Sequence, residues 1–278
     1  MNYSYEDSLK YILKKYNLTA KKRFGQNFLH DKNIINHIVK SSLSENKFVV
    51  EVGPGPGLLT NAILKNNVKN VLAIETDKSF LPILKKIKEN HYGKFDYIIN
   101  DILKINLDEI INEKYSVISN LPYNISVPFI LSLIEKEQPV KWEKLTLTVQ
   151  KEVAERMLAK INTKEYGRLS VLIQWRCKVS KICEIKPSCF IPPPKVLSTV
   201  ISIEPKKHTP NPSIKIFQEI VSHAFGFRRK TLRKSLSRLD VNIDDLAELA
   251  GINLKLRAQN LSVNDFCNLT IAYENLIS

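Results

Sequence analysis

The sequence is short of every feature that marks a membrane, secreted or metal-binding protein. Its longest apolar runs, such as "VPFILSLI" at 127–134, fall far below the ~20 residues that a bilayer span requires. The first residues, "MNYSYEDSLKYILKKY", carry no small-residue cleavage site after an apolar core, so no signal peptide is expected. Only four of 278 residues are cysteine, Cys177, Cys183, Cys189 and Cys267, and their spacing matches no zinc motif. The five histidines are scattered. His30 and His37 can share a helix face, but two turns apart they cannot grip one ion. A cytoplasmic protein with reduced cysteines and no resident metal is the expectation. There is no internal repeat and no low-complexity tract, and no exposed heptad suggests an oligomer, so a monomer is expected.

Acidic residues are the other shortage. Lys and Arg total 42 against 28 Asp and Glu, a formal charge of +14. Such a balance favours a polyanionic partner, nucleic acid or an anionic surface. The distribution sharpens this. "KYILKKYNLTAKKRFGQ" (10–26) carries Lys10, Lys14, Lys15, Lys21, Lys22 and Arg23 with no acid. "GFRRKTLRKSLSR" (226–238) carries Arg228, Arg229, Lys230, Arg233, Lys234 and Arg238, again with no acid. At helix-compatible intervals, the second group would form a basic helix face able to track RNA phosphates.

Strand-like and helical patterns alternate through the first two-thirds of the chain. Strands are expected at 48–52, 68–75, 95–101, 115–120, 144–150 and 196–204. Helices are expected at 58–66, 80–90, 128–137, 151–161 and 168–176. Helix-length segments between strands imply right-handed crossovers. The fold class expected is therefore α/β, a doubly wound, mainly parallel sheet covered on both faces. "EPKKHTPNP" (204–212), with three prolines, reads as a linker. Only helical patterns follow, at 214–225, 229–239, 244–251 and 263–277, with Gly251 as a stop and Ser262 or Asn264 as a cap. The expected division is a catalytic domain at 1–205 and a small helical domain at 206–278.

"VVEVGPGPGLLT" (49–60) places Gly53, Gly55 and Gly57 between the first strand of this series and its helix. In a doubly wound sheet the ligand crevice lies at the carboxyl ends of the strands. The spacing G-x-G-x-G, stiffened by Pro54 and Pro56, is not the G-x-G-x-x-G of a pyrophosphate cradle. It suits a nucleoside lying over the loop without a phosphate, as in S-adenosylmethionine. Glu75 ends the next strand, 22 residues after Gly53, where a carboxylate can accept from ribose hydroxyls. Asp101 ends the third strand and can accept from an adenine amine.

"SNLPYNIS" (119–126) ends the fourth strand. The lone pair of adenine N6 is delocalised into the ring, so the amine is a poor nucleophile. Two acceptors beside its N–H bonds would favour a tetrahedral nitrogen. Asn120 can supply a side-chain oxygen, and the backbone carbonyl of Leu121 or Pro122 the second. Tyr123 offers a ring on which a flipped-out base can stack.

These segments, with "KKRFGQNFLHD" (21–31), "VQKEVAERM" (149–157), "CFIPPPKVLST" (189–199) and "AFGFRRKTLRKSL" (224–236), resemble the KsgA-type ribosomal RNA adenine dimethyltransferases over nearly the whole length. The resemblance implies that Asn27 and Leu29 close over the methionine end of the cofactor S-adenosylmethionine, with Gly53 and Gly55 beneath it. It implies Glu75 on the ribose, Asp101 on the adenine and Asn120 touching cofactor and target amine. Phe190 would sandwich the target base against Tyr123; read without the family, it is a core aromatic. The substrate implied is the 3′-terminal hairpin of 16S rRNA, free or in a pre-30S particle, where two adjacent adenines each receive two methyls. Lys22, Arg23, Arg228, Arg229, Lys230 and Arg233 would contact that RNA. The "KKRFGQ" arm is expected to order over the site when ligand binds. Competing readings are a macrolide-resistance methyltransferase acting on large-subunit RNA, a DNA adenine methyltransferase, and a non-catalytic assembly or transcription factor.

Overall fold

The order of elements follows the alternation of apolar runs and amphipathic segments. The computed structural model describes residues 5–43, 45–136, 139–206 and 212–278. Along the chain lie α1 (Tyr5–Lys15), β1 (Phe28–Leu29), α2 (Lys32–Ser42), β2 (Phe48–Val52), α3 (Leu58–Leu64), β3 (Asn70–Glu75), α4 (Leu81–Asn90) and β4 (Phe95–Ile99). Then come α5 (Leu107–Ile110), β5 (Tyr115–Ser119), α6 (Tyr123–Ile134), β6 (Trp142–Gln150), α7 (Lys151–Leu158), α8 (Arg168–Arg176) and β7 (Cys177–Ile185). The chain ends through β8 (Phe190–Ile191), β9 (Ser198–Pro205), α9 (Ile214–Gly226), α10 (Leu232–Ser235), α11 (Ile243–Ala250) and α12 (Val263–Ile277).

Seven strands form one sheet in the order β4-β3-β2-β5-β6-β9-β7. Strands β4, β3, β2, β5 and β6 pair in parallel, and β9 runs antiparallel to β6. Val49, Val50, Val117, Ile118, Leu145 and Leu147 are fully buried, because a parallel sheet covered on both faces has no wet side. From β2 the chain steps outward to β4, then returns to β5 on the other side of β2. That reversal opens a crevice at the carboxyl ends of β2 and β5. The mainly parallel, doubly wound sheet expected from the sequence is present.

The backbone clusters into two compact units, Met1–Ala154 with Ser180–Pro205, and Glu155–Val179 with Lys206–Ser278. The sequence division at 205/206 differs from this: residues 155–179 join the helical unit. The reason is the aromatic content of that stretch. Helix α8 buries Leu169, Val171, Leu172, Ile173 and Trp175. Trp175 stacks on Phe217 at 4.1 Å between centroids, and Phe225 packs against both Tyr166 and Phe266.

Local differences from the sequence reading have local causes. Helix α6 starts at Tyr123 rather than 128, with Pro128 inside it. There the proline removes the N–H that the Asn124 carbonyl would accept. The long basic helix expected at 229–239 is a single turn, α10, because the Leu232 and Arg233 amides donate instead to the Leu256 and Leu254 carbonyls. Strand β7 has no counterpart in the sequence reading. The linker expected at 204–212 begins inside β9, and its residues 207–211 lie outside the described residues. Gly251 stops α11 in the left-handed region, and the Ser262 hydroxyl caps α12. Among the described residues, no helix is long and apolar enough to cross a membrane.

Gly57 is a position where the sheet-to-helix turn leaves no alternative. Its φ is +80°, and an added Cβ would lie 2.6 Å from Ile87 Cδ1. Gly57→Ala should destabilise the fold by about 2–4 kcal/mol, through strain and overpacking together, measured by denaturant unfolding. Gly93→Ala, at φ +77° but with open space, should lose no more than about 1–2 kcal/mol.

Candidate active site

A cavity of about 250 Å³ opens where the strand ends converge. Its floor is the loop after β2. Gly53 and Gly55 hold φ values of +67° and +50°, which residues with a side chain rarely adopt. The Gly53 amide donates to Ile74 O at 2.8 Å, tying the loop to β3. A Cβ on Gly55 would press to 3.3 Å from the Phe28 ring.

Two carboxylates line one side. Glu75, 5% exposed, closes β3. Its Oε1 accepts from the Asp77 amide at 2.8 Å and its Oε2 from the Gly55 amide at 3.1 Å. Burial raises its pKa, and the two backbone donors partly oppose that rise. Each oxygen retains a further acceptor site, so paired hydroxyls can still be bound. Asp101 follows β4, with Oδ1 accepting from the Leu103 amide at 3.0 Å. It too lines the cavity.

Asn120 follows β5. Its Nδ2 donates to Asn27 O at 2.9 Å. The amide is thereby oriented with its nitrogen on Asn27 O and its oxygen available as an acceptor. Leu121 is buried, Pro122 caps α6 and Tyr123 is its first residue. The Tyr123 hydroxyl shares a 2.6 Å hydrogen bond with Ser198 Oγ, which fixes the ring at the cavity wall. Burial raises the Tyr123 pKa, and the Ser198 hydrogen bond works against it. Arg23, Phe24, Gly25, Gln26 and Asn27 line the cavity from the N-terminal segment. Arg23 lies over the Phe24 ring at 4.7 Å, and Lys22 is exposed.

Two of the expected site residues lie outside the lining of the main cavity. Phe190 does not line the cavity; it is 2% exposed and its Cα pairs with that of Leu29 across β1 and β8. Leu29 is likewise buried and borders a smaller recess of about 30 Å³, which shares Phe28, Gly53 and Asn120 with the main cavity. That recess also contains Glu51, which the sequence reading passes over. Glu51 is 1% exposed, and its Oε2 has no hydrogen-bond partner among the described residues. Burial drives its pKa to about 8, with the Thr60 hydroxyl opposing and the Glu75 charge adding to the rise. The available signal was an acid inside the otherwise apolar "FVVEV".

The basic residues of the second unit divide into two kinds. Arg228 donates to the Lys164 and Tyr166 carbonyls, and Arg233 pairs with Asp244 through both guanidinium Nη atoms. Arg229 and Lys230 are exposed, beside Phe227, which is 42% exposed with Arg238 5.1 Å from its ring centroid.

The model of the family described as "Ribosomal RNA adenine dimethylase" matches residues 17–275. Ribosomal RNA small subunit methyltransferase A of Clostridium acetobutylicum is 40% identical over 275 residues, covering 95% of this chain and 98% of its own. The protein of the same name from Zymomonas mobilis is 38% identical, covering 97% of each chain. Among solved structures, a dimethyladenosine transferase from Plasmodium falciparum superposes with a TM-score of 0.77 at 27% identity, over 89% of this chain and 98% of its own. The 23S rRNA methyltransferase ErmE, at 22% identity and a TM-score of 0.63 over 91% of this chain and all of its own, shares the fold. That fold is the class I S-adenosylmethionine-dependent methyltransferase fold. A family model that runs almost end to end, joined by relatives this similar over nearly their whole lengths, means that the chain belongs to the ribosomal RNA adenine dimethylase family.

Proposed function

We propose that the protein transfers methyl groups from S-adenosylmethionine to N6 of two adjacent adenines in the 3′-terminal hairpin of 16S rRNA. The products are N6,N6-dimethyladenosines, made on a pre-30S particle during small-subunit biogenesis. The observation that carries this reading is the Asn120 amide, anchored by Asn27 O so that its oxygen remains as an acceptor at the cavity.

The residues present suit the cofactor. When bound, S-adenosylmethionine supplies an electrophilic methyl group, so no side chain need serve as a strong base. Glu75 would hold the ribose hydroxyls and Asp101 the adenine amine. Gly53 and Gly55 let the backbone approach closely. The unpartnered Glu51 oxygen, in a recess bounded by Gly53 and Asn120, suits the ammonium of the methionine end. Asn120 Oδ1 and the Leu121 or Pro122 carbonyl would accept the N–H bonds of the target amine and return density to its lone pair. Tyr123, locked through Ser198, would stack on the extruded base and set the line of attack. Phe190, buried opposite Leu29, would support that residue from the core.

The direct test is incubation with labelled S-adenosylmethionine and unmethylated small subunits, with large subunits and DNA in parallel, followed by nucleoside identification. N6,N6-dimethyladenosine from small subunits alone is expected. Product from large subunits would identify the resistance-type enzyme, and product from DNA a DNA methyltransferase. No product, with tight small-subunit binding, would identify an assembly factor.

For the RNA surface, Arg229 and Lys230 are better candidates than Arg228 and Arg233, whose donors already have partners within the chain. Reversing both charges, Arg229→Glu with Lys230→Glu, should flatten the salt dependence of RNA binding by about two units of log–log slope. An unchanged slope would place the RNA elsewhere. Arg228→Ala should act differently, lowering stability through the Tyr166 carbonyl it abandons.

A further inference from the structure

Asp77 is a buried acid two residues beyond Glu75, and no step of methyl transfer requires it. Its side chain is 4% exposed, and three side chains converge on it. Lys21 Nζ lies 2.7 Å from Oδ1, Ser79 Oγ donates to the same oxygen at 2.7 Å, and Gln26 Nε2 donates to Oδ2 at 3.0 Å. Lys21 and Gln26 are also joined to each other, since the Lys21 amide donates to Gln26 Oε1 at 2.8 Å. These two residues bracket the segment 22–25, whose Arg23, Phe24 and Gly25 line the cavity.

The acid therefore faces two ways. Its side chain holds both ends of the segment that covers the cavity. Its own amide donates to Glu75 Oε1, on the residue suited to the ribose. At its far end, the same segment is held through Asn120 Nδ2 to Asn27 O and the short β1–β8 pairing. Burial alone would push the Asp77 carboxyl up, but the hydrogen bonds from Lys21, Ser79 and Gln26 outweigh it and hold its pKa at about 2. The clasp is therefore charged and intact throughout the physiological range. Freeing the segment requires both the Lys21 and the Gln26 contact to Asp77 to break.

We propose that Asp77 is a positioning residue that latches residues 21–26 over the cofactor cavity, and that this latch sets how fast S-adenosylmethionine enters and S-adenosylhomocysteine leaves. The proposal rests on the reading of this cavity as the cofactor site. Two methylations of one adenine require one exchange of spent for fresh cofactor between them. A gate on exchange therefore governs whether the second methyl follows promptly or the singly methylated base is released.

The test measures S-adenosylhomocysteine dissociation by stopped flow, together with single-turnover methyl transfer on small subunits preloaded with saturating cofactor. Lys21→Met and Gln26→Leu should each speed dissociation about tenfold. The preloaded single-turnover rate of Lys21→Met should stay within about twofold, because Lys21 is not among the residues that line the cavity. Lys21→Arg, which can still pair with Asp77, should restore slow release. Dissociation unchanged in both variants overturns the latch. So does a fall in the preloaded rate without faster release. Asp101→Ala, which lines the cavity but has no part in the latch, should weaken equilibrium binding. Wild-type binding by Asp101→Ala would sink the cavity assignment and the latch with it, whereas normal weakening there beside unaltered release in the Lys21 and Gln26 variants rejects the latch alone.

Discussion

Asn120→Ala should lower methyl transfer by about a hundredfold or more, the scale on which removing one aligned polar group slows an enzyme. Affinity for S-adenosylmethionine should fall only a few fold. The two effects separate because the side chain has two ends. Its oxygen faces the target amine in the proposed reading, and its nitrogen anchors Asn27 O. Alanine removes both, so the small loss of affinity reports the loosened Asn27 segment and the large loss of rate reports the missing acceptor. Asn120→Asp is the informative comparison. It keeps an acceptor but sets a carboxylate against the Asn27 carbonyl. It should bind cofactor worse than Asn120→Ala does. Calorimetric binding beside single-turnover rates distinguishes the two ends, and wild-type turnover by Asn120→Ala would refute the assigned role.

Glu51 yields the largest expected pH effect. Its carboxyl has a pKa near 8 in the fold, against an ordinary value of 4.5. The folded chain therefore holds this proton more tightly than the unfolded chain does. Stability from this group is complete below about pH 4.5 and is lost as pH rises through 8. The slope it contributes in that window approaches about 1.4 kcal/mol per pH unit. Glu51→Gln, which keeps the shape and cannot ionise, should remove that contribution and unfold at higher denaturant than wild type at pH 8. An unchanged pH slope would mean that the acid is already ionised in the fold. Cofactor binding should act in the opposite sense. A ligand ammonium beside Glu51 favours the carboxylate, so binding near pH 7 should release a proton, seen as buffer-dependent heat. Glu51→Gln should lose that proton release and about tenfold in affinity.

Much of this site was legible in the residue order. Gly53, Glu75, Asp101 and Asn120 each follow a recognisable apolar strand, and strand ends in a doubly wound sheet share one rim. Residues whose role depends on what packs over them were not legible. Phe190 carries the same sequence signal whether it stacks on a base or fills the core, and its burial opposite Leu29 is visible only in the folded chain. Glu51 resembles any acid in a strand until burial leaves one of its oxygens without a partner. Arg228 and Arg229 are adjacent, chemically identical and both exposed, yet Arg228 donates to the Lys164 and Tyr166 carbonyls, which the residue order does not announce.

The residue order alone determined the parallel sheet, the glycine floor, the strand-end carboxylates and the "NLPY" turn, because hydrophobic period and backbone freedom are local properties of the chain. Tertiary structure decided that Arg228 and Arg233 take partners within the chain, which unit holds residues 155–179, that the expected helix at 229–239 is one turn, and that Asp77 clasps Lys21 and Gln26. Each of those depends on contacts between residues far apart in the sequence. Their strength is set by burial and by competing partners, which no local pattern records.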